Sequence, residues 1–253
     1  MPAKNVGFFG SCQLELPSSF FFNDIVMQKY NINVKFKLPF FIYDTSYPEY
    51  TGQKLDYSIF DDLDFLVIEI NKLDNDASSE KIINYLKNKN VKIIRTFLIK
   101  FPIYPINWSG YGENKNDYIN WKGLDNIDYN EKFKNCIESM RKNNIECDLS
   151  DEITDFVEQN FNKQLLFTHS LHPTNILLYQ IWKQILNHMS INIEENNYIF
   201  KKQLLLCWYN PLTTKMIKDL DIRFKNMAIT DKFYIERYNK NKHMFCNMNT
   251  GIF

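Results

Sequence analysis

Four residues near the start of the chain, Gly10-Ser11-Cys12-Gln13, combine a nucleophile with a turn. They follow a short apolar run, Asn5 to Phe9, that reads as a buried strand. Gly10 permits a tight exit from that strand. The next residues then fall at a helix N-terminus, where backbone N–H groups and the helix dipole favour an anion. A cysteine there is expected to have a larger thiolate fraction. The backbone N–H groups from Ser11 to Gln13 are candidate oxyanion donors. The plain alternative is a small buried cysteine after a strand.

A second cluster lies far along the chain, in Thr168-His169-Ser170-Leu171-His172-Pro173-Thr174-Asn175. Pro173 restricts His172 to extended backbone and opens the apolar-periodic run that follows. An imidazole fixed just before a helix suits a general base. Two histidines at this spacing outside a helix, without a clear third ligand, are a weak metal pattern, and no metal is expected. The ordinary alternative is a helix-capping histidine.

Two further segments qualify. Glu69-Ile70-Asn71-Lys72 ends an apolar strand, and Asn71 can either donate to an oxyanion or simply turn the chain. Phe101 to Gly112 holds Tyr104, Trp108 and Tyr111 among two prolines and two glycines. Rigid aromatics of this kind suit an adenine or sugar platform, or a packed connection over a sheet.

The elements that must position these residues follow from periodicity. Ile32 to Leu38 alternates as a strand. Leu63 to Ile70 is nearly continuously apolar, as a strand covered on both faces would be. A helix from Ser78 or Ser79 to about Lys89 and a strand over Val91 to Phe97 complete a strand–helix rhythm typical of a parallel sheet. Between the first two strands a helix is expected through Phe20 to Tyr30, with Pro17 in or before its first turn. After residue 130 the pattern is mostly helical: Asn130 to Lys142, Ser150 to Asn162, Thr174 to Met189, and Pro211 to Leu220. The expected fold class is α/β, a parallel sheet core in the first half with a mainly helical second half packed on it. A single domain over 1–253 is expected, divided into a sheet core (1–100), an aromatic loop (101–125) and a helical part (126–253).

Composition limits the classes. Lys+Arg 30 balances Asp+Glu 30 over 253 residues, which argues against a nucleic-acid binder. Apolar residues at 45% and charged residues at 24% are ordinary globular usage. No apolar run approaches the ~20 residues of a membrane span, and no secretory h-region is visible at the start. The five cysteines (Cys12, Cys136, Cys147, Cys207, Cys246) contain no C-x-x-C pair, so neither a zinc ribbon nor a disulfide framework is indicated. A cytoplasmic location is expected, and a homo-oligomer is compatible with the sequence.

The strand ending in Gly-x-[Ser/Cys] and the late His-Pro resemble the SGNH/GDSL hydrolase plan. Aligned on Gly10, the nucleophile position falls on Cys12 and the base on His172. The acid of that family's D-x-x-H-P motif is replaced by His169, which departs from a Ser-His-Asp triad. A closer likeness is to the WcbI-type family of capsular polysaccharide biosynthesis proteins. Their Gly-Asn-Cys-Gln motif resembles Gly10-Ser11-Cys12-Gln13. Thr96 to Gly112 is similar to their Pro- and Tyr-containing segment, and His172-Pro173 to their late His-Pro. The resemblance spans residues 5 to 190 in layout. It implies an SGNH- or flavodoxin-like sheet that binds coenzyme A or acetyl-CoA and acetylates a hydroxyl of a surface polysaccharide. Cys12 would then be an acyl carrier or an orienting group, and His172 the base for the sugar hydroxyl or for Cys12. Gly10, Ser11, Gln13, Asn71 and His169 would line the substrate, and Tyr104, Trp108 and Tyr111 the cofactor. A carbohydrate esterase and a non-catalytic CoA- or glycan-binding subunit are the rival expectations.

Overall fold

A computed structural model describes residues 2–44, 53–103, 126–169, 171–192 and 214–224. The fold is α/β. The chain divides into two compact units. One comprises Met1–Leu98, Asn143–Asp151 and Leu178–Ile199, and the other Ile99–Lys142, Glu152–Leu177 and Phe200–Phe253.

The first unit is built on four strands: β1 (Lys4–Gly10), β2 (Ile32–Pro39), β3 (Phe65–Ile70) and β4 (Lys92–Phe97). Their order is β2-β1-β3-β4 and every pairing is parallel. Phe8 aligns with Val67, and Val67 with Ile94. The strand order reverses its direction of travel between β1 and β3. In open α/β sheets, the crevice beyond the carboxyl ends of such a pair is where ligands bind. Gly10 and Glu69 sit at those ends.

Successive strand residues face opposite ways, so adjacent Phe8 and Phe9, both buried, require a cover on each face. On one side Phe9, Leu66 and Ile68 pack with Phe60, Ile82 and Leu86. Ile82 and Leu86 belong to α3 (Ser79–Leu86), capped by Ser78, whose side chain accepts from the Lys81 N–H. On the other side Phe8 meets Phe22 at 5.1 Å and Trp182 at 5.6 Å between ring centroids.

The segment after β1 differs from the sequence expectation. Instead of one helix through Phe20 to Tyr30, there are two, α1 (Cys12–Phe21) and α2 (Asp24–Tyr30). Asn23 separates them because its side chain accepts from the Val26 N–H at 3.1 Å and starts α2 as a cap. Pro17 lies inside α1 rather than at its start. Proline has no N–H to donate to the carbonyl four residues back, here Gln13. The Trp182 indole donates to that carbonyl instead, at 3.4 Å.

The later helices are α4 (Tyr129–Asn144), α5 (Glu152–Asn160), α6 (Asn175–His188) and α7 (Thr214–Asp219). All but α7 fall close to their expected spans. The expected start of α7 at Pro211, and the Gln203 to Tyr209 segment, lie outside the described residues. A small hairpin not anticipated from sequence pairs β5 (Phe167–His169) with β6 (His172–Pro173). In the second unit Phe101 stacks on Phe167 at 4.5 Å and 3°, and Phe133 on Phe161 at 3.8 Å. Arg141 of α4 bridges Asp155 and Glu158 of α5 at 2.8 and 2.6 Å.

Candidate active site

Gly10 ends β1, and the space where a side chain would start is already filled. An added Cβ would meet Leu14 Cδ1 at 2.6 Å and Glu69 Cβ at 3.0 Å. Glycine is required here for close approach. It lets the chain turn from β1 into α1 against β3.

Ser11 then caps α1. Its Oγ accepts from the Gln13 N–H at 3.2 Å and donates to Glu69 Oε2 at 2.7 Å. The Ser11 N–H also donates to Glu69 Oε2, at 3.2 Å. Glu69 is 1% exposed, next to last in β3. A buried carboxyl group is costly unless hydrogen-bonded, and Ser11 supplies two donors to its Oε2. Cys12 follows as the first residue of α1. Its thiol is free of any disulfide and the residue is half-exposed.

Two of the expected oxyanion donors are engaged inside the turn. The Ser11 N–H is directed to Glu69 and the Gln13 N–H to Ser11 Oγ. Both are held within the turn. Asn71 does lie at the same sheet edge, just after β3, but its side chain builds its own loop. Its Nδ2 donates to the Ala77 carbonyl at 3.3 Å, and its Oδ1 accepts from the Leu73 and Ser79 N–H groups. The Asn71 amide is therefore a turn-forming group.

In the second unit, His172 is half-buried on β6, where its backbone pairs with His169 of β5. Pro173 follows, buried. Thr174 is 3% exposed and ties the start of α6 down. Its N–H donates to the Leu166 carbonyl at 2.8 Å and its hydroxyl to the Leu165 carbonyl at 2.9 Å. His172 is thus held between a hairpin and a tethered helix start, as a positioned base needs. Tyr104, Trp108 and Tyr111 lie outside the described residues.

Glu69 was not singled out as a chemical group from sequence, although it was visible there. A lone acid within Phe-Leu-Val-Ile-Glu-Ile, at a position covered on both faces, signals a specific partner. Behind β4, Asp148 pairs with Arg95 through Nε and a terminal nitrogen at 3.2 and 2.8 Å, and accepts the Arg95 N–H at 2.7 Å. The His188 ring contacts the Asp148 carbonyl at 2.7 Å. Burial pushes the Cys136 and Cys147 thiols up to about 12, which makes both poor nucleophiles. Among the described residues, no group of three or more His, Cys, Asp or Glu is placed to hold a metal, and no helix is long and apolar enough to cross a membrane.

A parallel sheet ordered 2-1-3-4, with a cysteine opening the helix after its first strand, defines a doubly wound α/β protein with a candidate nucleophile at the switch point. The fold is similar to a solved structure of WcbI, described as a polysaccharide biosynthesis enzyme. The TM-score is 0.66 at 16% identity, over 88% of this chain and 82% of that one. That structure is described as native protein without a disulfide bond between coenzyme A and one of its cysteines. No family model matches the chain, and no curated protein matches it by sequence.

Proposed function

We propose that this protein is a CoA-dependent O-acyltransferase that acetylates a sugar hydroxyl in polysaccharide biosynthesis. The observation that carries the reading is the setting of Cys12. It is a half-exposed thiol at the first position of α1, beyond the carboxyl end of β1, in a fold similar to that of WcbI. A thiol is a suitable acceptor for an acyl group held as a thioester, because exchange between two thioesters is nearly balanced in energy.

In this reading Cys12 loses its proton and Sγ attacks the thioester carbonyl of acetyl-CoA. The bond from that carbon to the CoA sulfur breaks, and CoA departs as the thiol with the proton. His172 then accepts the proton of a sugar hydroxyl. The sugar oxygen attacks the acyl carbon on Cys12, the C–Sγ bond breaks, and the proton returns to Sγ. The positive end of the α1 dipole favours the negative charge that develops in both steps.

The rival reading, a carbohydrate esterase, would use the same Cys12 and His172 with water as the acyl acceptor.

Thermal denaturation in the presence of CoA, acetyl-CoA and nucleotide sugars tests the reading. At about 100 times its dissociation constant, acetyl-CoA should add roughly 2.7 kcal/mol of stability. Rapid hydrolysis of a simple aryl acetate, with no stabilisation by CoA or acetyl-CoA, would instead indicate an esterase.

A further inference from the structure

Lys37 lies two residues before the end of β2 and aligns with Phe8 of β1. Aligned residues of neighbouring strands point to the same face. Lys37 therefore shares the face that Phe8 presents to Phe22 and Trp182. Lys37 is half-buried, and its ammonium donates to the Ser19 hydroxyl of α1 at 2.9 Å. Among the described residues no carboxylate pairs with it. Burial alone pulls its pKa below the ordinary lysine range. A cation that has lost part of its water without gaining a counter-charge is costly, and an incoming anion offsets that cost.

Ser19 places this cation relative to the thiol. Cys12, Glu15, Leu16 and Ser19 follow the i, i+3, i+4, i+7 spacing of one helix face. They are half-exposed or exposed, whereas Gln13, Leu14, Pro17 and Ser18 are buried. Cys12 and Ser19 thus stand at the two ends of one open strip, about 10 Å apart along the axis at 1.5 Å per residue. Leu16, 49% exposed, is the apolar residue between them. Glu15 is the acid of the strip, one turn from Cys12, and it contributes nothing to the shift of Lys37.

We propose that Lys37 is a phosphate-binding residue that takes the diphosphate of coenzyme A, with the pantetheine arm laid along the Cys12–Ser19 strip and across Leu16. This rests on the CoA-dependent reading above. Coenzyme A carries its sulfur and its diphosphate at opposite ends of an arm that can span the strip. The carbons of that arm suit Leu16. With the sulfur at Cys12, the phosphates fall at the lysine. The reverse orientation would set them beside Glu15.

Binding of CoA, dephospho-CoA and pantetheine to the full-length protein tests this, by calorimetry for the two nucleotides and by ligand-observed NMR for pantetheine. Lys37→Gln should weaken CoA and dephospho-CoA about tenfold each, the loss of one charge-assisted hydrogen bond, and leave pantetheine unchanged. Lys37→Arg should restore most of the affinity. Equal weakening of pantetheine would show a merely structural role. A loss confined to CoA would put the ribose phosphate, not the diphosphate, at Lys37. Either result overturns the assignment. Unchanged CoA affinity in Lys37→Gln also overturns it and leaves the transferase reading standing, whereas a wild-type protein that binds no CoA removes both. If Lys37→Gln does not fold, reductive methylation of the wild-type protein decides. CoA should protect Lys37 and pantetheine should not, and equal labelling with and without CoA would contradict the proposal.

Discussion

The Trp182 indole donates its N–H to the Gln13 carbonyl at 3.4 Å, the acceptor that Pro17 cannot serve. The same indole is fully buried and stacks on Phe21 at 5.1 Å and 11°. A helix-breaking residue is thus accommodated in α1 by a side chain from a distant helix. The turn carrying Cys12 inherits that support, since Gln13 is its last residue.

The consequence is a coupled pair of substitutions. Trp182→Phe keeps a stacking ring but leaves the Gln13 carbonyl without the indole, and should cost about 1–3 kcal/mol. Pro17→Ala restores a backbone N–H to that carbonyl. In the double variant the cost of Trp182→Phe should fall, giving a non-additive cycle by denaturant unfolding. Strict additivity would show that the indole N–H and Pro17 are independent.

Gly10→Ala places a methyl group against Leu14 and Glu69. Overpacking of this kind costs about 1–3 kcal/mol. Because the displaced groups hold the Ser11–Gln13 turn, acyl transfer should fall by more than the stability loss explains. Melting temperature and transfer rate measured on the same preparation check this. An unchanged rate would show that the turn tolerates the shift.

The sheet was legible because β3 is a nearly continuous apolar run and β1 ends in one. The place of Pro17 inside α1 and the break before α2 were not, because the group that accommodates the proline is 169 positions away. Asn71 was placed at the correct edge, but residue type alone could not show its amide turned toward Ala77 and Ser79. The β5–β6 hairpin was missed because two- and three-residue strands carry no periodic signal.

Asp148 gives the fold a pH dependence of known sign. Burial alone would raise its carboxyl. Hydrogen bonds from the Arg95 guanidinium and N–H, with the charges of Arg95 and His188, outweigh that and hold it below the usual carboxylate range. A lowered folded-state value contributes stability above the unfolded value and loses it as pH falls through the folded one. Asp148→Asn should therefore cost stability at pH 7, about 1 kcal/mol after screening, since the Arg95 side chain is 44% exposed. The gap to wild type should begin to close below about pH 4. A gap that stays constant through that range would remove Asp148 as its source.

The most direct measurement is the mass of the Cys12 peptide after brief incubation with acetyl-CoA in the absence of an acceptor. The account predicts an acetyl group on Cys12, lost when a competent saccharide is added, absent in Cys12→Ala, and accumulating without turnover to saccharide in His172→Ala. An unmodified Cys12, together with full transfer activity in Cys12→Ala, would contradict it.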